Sequence, residues 1–175
     1  MSLMNDGEKS YRLLWEYALR LLALKSYTES EMLKKLSVKA SRSGNSPSQA
    51  FSQVPPGAAA HDPAVLKVLA RLKELDFLND GKILENYLEY RLKNRPVGKF
   101  LFLREMHRRG IPFEKSAEEW EKRGIQEGEL AADFVQRRAR KFESMPLALR
   151  KKKIGTLLAS RGFSADTVWD VLGKL

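Results

Sequence analysis

The chain has no cysteine among its 175 residues. That absence excludes structural disulfides, Cys-ligated zinc and thiol catalysis, and it fits a reducing compartment. Long apolar runs are also missing, since nothing approaches the roughly 20 consecutive apolar residues that span a bilayer. No basic segment leads into an apolar core and a small-residue cleavage site, so a cytoplasmic location without a membrane partner is expected. Histidine is scarce. His61 falls in a stretch without apolar pattern, and His107 sits among Arg104, Arg108 and Arg109, whose field opposes a bound cation. The phosphate loop G-x-x-x-x-G-K-[ST] and the dinucleotide fingerprint G-x-G-x-x-G are absent. Glu118, Glu119 and Glu121 form the densest carboxylate group, but at helical spacing they fan around the solvated side of Trp120. No catalytic residue, cofactor or metal is expected, and the chain does not read as an enzyme.

What is present is helical periodicity, and it repeats. Leu13, Leu14, Tyr17, Ala18, Leu21 and Leu22 share one face of a first helix. Thr28 and Glu31 form a T-x-x-E capping box that opens a second, burying Met32, Leu33 and Leu36. From Ser41 to His61 the pattern disappears into Ser, Ala, Pro and Gly, which reads as a flexible insertion at about 41–62. Asp62-Pro63 restarts order as N-cap and first helical residue, followed by Val65, Val68, Leu69, Leu72 and Leu75. Asn79-Asp80 opens the next helix, with Ile83, Leu84, Tyr87, Leu88 and Leu92 inward. The spacing then predicts helices over 97–109, with Phe100, Leu101, Leu103 and Met106 inward, and over 113–123, with Phe113, Ala117 and Trp120 inward. Leu130, Ala131, Phe134 and Val135 mark another, then Leu147, Ile154, Leu157 and Leu158. Ser164 caps a last helix carrying Val168, Trp169 and Leu172. Trp15, Tyr87, Phe100, Trp120, Phe134 and Trp169 all read as core rather than as base-stacking surfaces. No stretch alternates at period two, so the expected fold is all-α.

Punctuation recurs at a spacing near 50. Gly110 and Gly162 each follow arginine and precede an apolar residue, 52 positions apart; Pro96 and Pro146 are 50 apart, and Asp76-Phe77 and Gly124-Ile125 are 48 apart. That period accommodates three helices, so the expected architecture is three tandem three-helix repeats, 11–78, 79–125 and 126–175, in an elongated, curved array.

The net charge of +10 is unevenly placed. Residues 1–90 carry 12 basic and 11 acidic groups, residues 91–161 carry 19 and 9, and the last 14 carry 1 and 2. Such a concentration attracts polyanions with an affinity that falls steeply with salt. Arg104 and Arg108 lie at i, i+4 beside Arg109; Arg137, Arg138, Arg140 and Lys141 occupy the last turns of another helix; Arg150, Lys151, Lys152 and Lys153 are four cations in a row. Acidic i, i+4 partners are scarce beside them. These residues are the expected polyanion-facing set, whereas Arg91, Lys93 and Arg95 at a helix end also complement its dipole.

Several motifs resemble one family. Tyr27-Thr28-Glu29-Ser30-Glu31-Met32-Leu33-Lys34-Lys35-Leu36 is similar to the opening of the RecX family's first repeat. Val68-Leu69-Ala70-Arg71-Leu72-Lys73-Glu74-Leu75-Asp76-Phe77-Leu78-Asn79-Asp80, continuing through Tyr87 and Arg91-Leu92, resembles its next signature. Arg108-Arg109-Gly110-Ile111 and Arg161-Gly162-Phe163 resemble its helix-ending R-G-[IF] pattern. The resemblance covers residues 11–175, except that the 41–62 stretch stands where the family has a short turn. It implies a monomeric, non-enzymatic regulator of RecA, lodged in the helical groove of the RecA–DNA filament. Such a regulator restrains filament extension, ATP hydrolysis and strand exchange in DNA repair, recombination and the SOS response. From the charge, the second and third repeats are expected to touch DNA, single- or double-stranded and without sequence preference, or an acidic recombinase surface. Two other readings of three-helix units remain: a sequence-specific helix-turn-helix DNA-binding protein and a helical-repeat adapter for another protein.

Overall fold

A computed structural model of the chain describes residues 6–43 and 62–175. Among the described residues there are nine α-helices and no strand: α1 (Asp6–Leu22), α2 (Glu29–Ser43), α3 (Pro63–Glu74), α4 (Asp80–Asn94), α5 (Lys99–Arg108), α6 (Phe113–Lys122), α7 (Glu127–Gln136), α8 (Leu147–Ser160) and α9 (Ala165–Gly173). The all-α expectation holds. The chain divides into two compact units, Met1–Asp80 and Gly81–Leu175.

In the first unit α1, α2 and α3 close around Leu14, Ala18, Met32, Leu36, Val68 and Leu72. The capping box forms reciprocally. Glu31 N donates to Thr28 Oγ1 at 3.1 Å, and Thr28 N donates to Glu31 Oε2 at 3.0 Å. Asp62 Oδ1 accepts from Ala64 N at 2.8 Å with Pro63 at the first helical position, so α3 starts where the dipeptide predicts. Because α2 runs to Ser43, the first residues of the expected insertion are helical; the remainder, with Phe51 and His61, lies outside the described residues.

The second unit holds two apolar clusters. One gathers Leu88, Phe102, Met106, Ile111 and Trp120 from α4–α6; the other gathers Phe134, Ile154, Leu158, Phe163 and Val171 from α7–α9 and the corner before α9. Leu130 packs against both. With the first unit's core this makes three clusters, one for each helix triplet, which is consistent with a tandem arrangement.

The recurring punctuation has a structural cause. Asp76, Gly110, Gly124 and Gly162 all take positive φ, at 57°, 86°, 58° and 77°. At three of them the next residue's N–H reaches back to close a Schellman turn: Phe77 to Leu72 O, Ile111 to Met106 O and Phe163 to Leu158 O, at 2.9, 3.1 and 3.3 Å. The spacings of 48 and 52 residues therefore mark left-handed helix stops.

Several expectations need correction. Leu13 and Leu75, expected on the apolar faces of the first and third helices, are exposed. Phe100 and Trp169 are 68 % and 72 % exposed, and Phe102, Thr167 and Val171 take the inward positions instead. In α5 apolar residues run nearly all round (Phe100-Leu101-Phe102-Leu103), so composition does not set the phase; the i, i+4 pair Phe102 and Met106 does, as Thr167 and Val171 do in α9. Phe113 is also largely exposed, with its ring stacked on His107 at 4.2 Å between centroids. Glu119 is buried rather than solvated, paired with Arg123 and Lys122 one turn on. Finally, α7 stops at Gln136, so Arg137 is its C-cap and Arg138, Arg140 and Lys141 fall on the following corner, in and before a short 3₁₀ turn, Ala139–Lys141.

Candidate nucleic-acid interface

Inside the second unit, the start of α5 is pressed against the corner that ends α8. Gly98 N donates to Arg161 O at 2.9 Å. A Cβ on Gly98 would lie 2.2 Å from Gly162 O, and one on Gly162 would lie 2.4 Å from Leu101 N. Only two glycines permit this approach, and Gly162 also supplies the left-handed stop. Glu127, in the first turn of α7, ties the same place together. Its Oε1 accepts from Lys99 N at 2.8 Å, and its Oε2 accepts from Ser164 N and Thr167 Oγ1 at 3.4 and 3.2 Å. One carboxylate thus serves the N-termini of both α5 and α9, where the exposed amide donors and helix dipoles favour a negative charge.

This seam collects arginines. Arg138 lies over the Phe134 ring at 3.9 Å and donates from Nη1 to Phe134 O at 3.2 Å. Arg161 lies over the same ring at 5.2 Å, and its Nη1 donates to Pro96 O at 3.5 Å. Arg91 is held on the neighbouring helix: its Nε donates to Tyr87 Oη at 2.9 Å, and it is ion-paired with Glu105, which also accepts from Tyr87 Oη at 2.7 Å. Burial first, then repulsion from Arg138, Arg91 and Arg95, holds the Arg161 guanidinium below the usual arginine range, opposed only by Glu105. Arginine stays charged at any pH the fold meets, so this shift marks an unfavourable field rather than a titration. Burial, followed by the Glu105 hydrogen bond, pushes the Tyr87 hydroxyl up to about 12.

The expected polyanion-facing residues are dispersed by the structure into different environments. Arg104 and Arg108 project from α5 as exposed side chains, and Arg109, half-buried, caps it. Arg137 is paired with Asp133 at 2.5 Å. Arg140 and Lys141 are exposed on the corner, as are Lys152 and Lys153 on α8. Arg150 is turned inward: its Nη2 donates to Glu143 O and Met145 O at 2.9 and 3.4 Å, closing the turn before α8. Lys151 and Lys152 border an open, mainly apolar groove of about 700 Å³ between α8 and α9, walled by Val168, Trp169 and Leu172 over Gly155. Of the set, Arg138 is the residue the structure places among other arginines. The sequence pattern assigned Arg91 and Arg95 to the dipole of α4 and Arg161 to a helix-ending motif. What would have joined them is the recurrence of Arg-Gly at 109–110 and 161–162, which marks equivalent corners. Among the described residues no three His, Asp or Glu side chains gather to hold a metal ion, and no helix is long and apolar enough to cross a membrane.

Comparison with known proteins adds relatives. No family model matches the chain. Regulatory protein RecX of Prosthecochloris aestuarii is 30 % identical over 116 residues, which is 65 % of this chain and 74 % of that protein. Regulatory protein RecX of Chlorobaculum tepidum is 26 % identical over 165 residues, 94 % of this chain and 88 % of that protein. Among solved structures, RecX from Lactobacillus salivarius superposes with a TM-score of 0.71 at 18 % identity, covering 96 % of this chain and 97 % of the other. A second crystal structure of regulatory protein RecX gives 0.70 at 16 %, covering 99 % and 81 %. At these identities the two structures bear on the fold alone, and they share it.

Proposed function

The chain belongs to the RecX family of regulatory proteins, and from that membership we propose that it regulates the RecA recombinase by binding the RecA–DNA filament. In this reading three tandem repeats, 11–78, 79–125 and 126–175, form a non-enzymatic, monomeric clamp in the filament groove. The clamp touches single- and double-stranded DNA through phosphates and therefore without sequence preference. It restrains filament extension, ATP hydrolysis and strand exchange by bridging neighbouring protomers. A ligand shifts a conformational equilibrium only by its difference in affinity for the two states. The protein must therefore bind the resting filament more tightly than the states that growth and turnover pass through.

Family membership carries the reading. Support comes from the 19 basic against 9 acidic groups between residues 91 and 161 and from the arginines crowded at the α5–α8 seam. The apolar groove between α8 and α9 favours a second reading, a helical-repeat adapter that docks on protein alone.

Single-stranded-DNA-dependent ATP hydrolysis by the cognate recombinase, titrated with this protein, tests both. Suppression by one molecule per many protomers is expected. No effect, alongside tight DNA binding at the same salt, would leave a DNA-binding protein of the helix-turn-helix kind. No effect and no DNA affinity would leave the adapter.

A further inference from the structure

We propose that the seam between α5 and the α8–α9 corner is a binding site for a phosphodiester group of single-stranded nucleic acid, gripped by Arg95, Arg138 and Arg161. Arg91 stands behind them. The proposal deepens the filament reading, from which it takes only the identity of the polyanion.

The geometry brings cations together without carboxylates paired to them. Arg138 and Arg161 share one aromatic ring, at 3.9 and 5.2 Å from its centroid. Arg161 also touches the carbonyl of Pro96, the residue that follows Arg95. The backbone bond from Gly98 N to Arg161 O makes this proximity compulsory, since it joins the two corners whatever the side chains do. Two carboxylates stand at the seam, and both are already engaged: Glu105 by Arg91 and Tyr87, and Glu127 by Lys99 N, Ser164 N and Thr167 Oγ1. Among the described residues Arg95, Arg138 and Arg161 form no ion pair.

Like charges held this close destabilise a fold unless an anion joins them. Contact with the Phe134 ring and hydrogen bonds to Phe134 O and Pro96 O hold two of the guanidinium groups in advance, so little side-chain freedom is lost on binding. Guanidinium forks from neighbouring residues suit a group with several acceptor oxygens spread in space, which a phosphodiester has and a single carboxylate matches less well. A phosphate here would also bridge α4, α7 and the end of α8. Binding would then stiffen the seam on which the second unit depends.

The test is binding of a fluorescent dT oligonucleotide by the full chain, without recombinase, across a salt series. Arg95→Gln and Arg161→Gln should each weaken binding severalfold, and together they should reduce the slope of log K against log salt by about 0.7, the share of one neutralised phosphate. Lys34→Gln, an equal change of charge in the first unit, should do neither. Arg95→Gln should also leave the thermal midpoint unchanged or raise it, because it relieves repulsion; a merely structural arginine would lower it.

If both variants bind like Lys34→Gln, the site is refuted. Pyrophosphate that binds as tightly as the oligonucleotide, with no gain from chain length, would overturn the nucleic-acid assignment in favour of a free phosphate source. Displacement of the oligonucleotide by poly-glutamate at equal charge concentration would overturn it in favour of an acidic protein surface. None of these readings needs recombinase, so their failure leaves suppression of ATP hydrolysis standing, and the converse also holds.

Discussion

Tyr87 shows how one side chain couples burial to charge. Its hydroxyl donates to Glu105, accepts from Arg91 and lies beside Phe102, whose ring is stacked at 6.4 Å. Its folded pKa of about 12 stands above the ordinary 10.0, so folding favours the protonated phenol. The stabilisation from this raised value is complete below pH 10 and is lost as pH climbs from about 10 to about 12. Tyr87→Phe should therefore cost about 1 kcal/mol at pH 8, where it removes a part-buried hydrogen bond from Glu105. The gap to wild type should narrow by about pH 11, inside that window. Urea midpoints at the two pH values check this, and a gap that widens would reverse the sign of the coupling. The sequence named Tyr87 as inward-facing but could not supply Glu105, which comes from the next helix. The same limit explains Phe100 and Trp169. Phe100 stands in a run that is apolar on nearly every side, and Trp169 sits beside a stripe whose buried pair includes a polar residue, Thr167 with Val171, so nothing at the level of single residues separates the inner ring from the outer one.

At the scale of elements, the chain announced its own boundaries wherever the signal was local. Thr28 with Glu31, Asp62 with Pro63, and Ser164 all cap the helices they were expected to cap. Left-handed stops were legible as a spacing, because few residues tolerate positive φ. Tertiary caps were not legible. Glu29 N finds Asp80 across 51 positions, and Lys99 N finds Glu127 across 28, distances at which local pattern says nothing. The Gly98–Gly162 approach belongs to this hidden class, and it carries a prediction. Gly98→Ala places a methyl 2.2 Å from a backbone oxygen that cannot yield without moving the corner. It should cost at least about 1–3 kcal/mol, a drop of roughly 4–8 °C in melting temperature for each kcal/mol in a unit of this size. Gly128→Ala, in α7 with nothing within 4 Å, should instead gain about 0.5–1 kcal/mol. Calorimetry of the two variants separates seam from propensity. If both rise, α5 does not press on the α8 corner.

For the whole molecule, charge asymmetry was the most legible property and its arrangement the least. Counting located the excess between residues 91 and 161. It could not tell which cations the fold uses internally. Arg150 closes a turn, Arg123 holds buried Glu119, and Arg137 meets Asp133. The acids of this region are similarly occupied, with Glu105, Glu119 and Glu121 in ion pairs and Glu127 capping two helices. Internal pairing therefore occupies part of the local counter-charge while leaving Arg104 and Arg108 exposed on α5. These two stand at i, i+4, a like-charge spacing that costs an isolated helix about 0.2–0.5 kcal/mol. Replacing both by Gln should consequently raise helix stability slightly while weakening oligonucleotide binding. Its salt dependence should flatten by about 0.7 for each phosphate that is no longer neutralised. The paired change Lys9→Gln with Lys34→Gln, equal in charge but placed on α1 and α2, should leave the slope alone. Fluorescence anisotropy across a salt series, with melting curves on the same samples, measures both quantities. Equal slopes for the two double variants would mean that net charge alone draws the polyanion in, and that α5 is no part of the surface it touches.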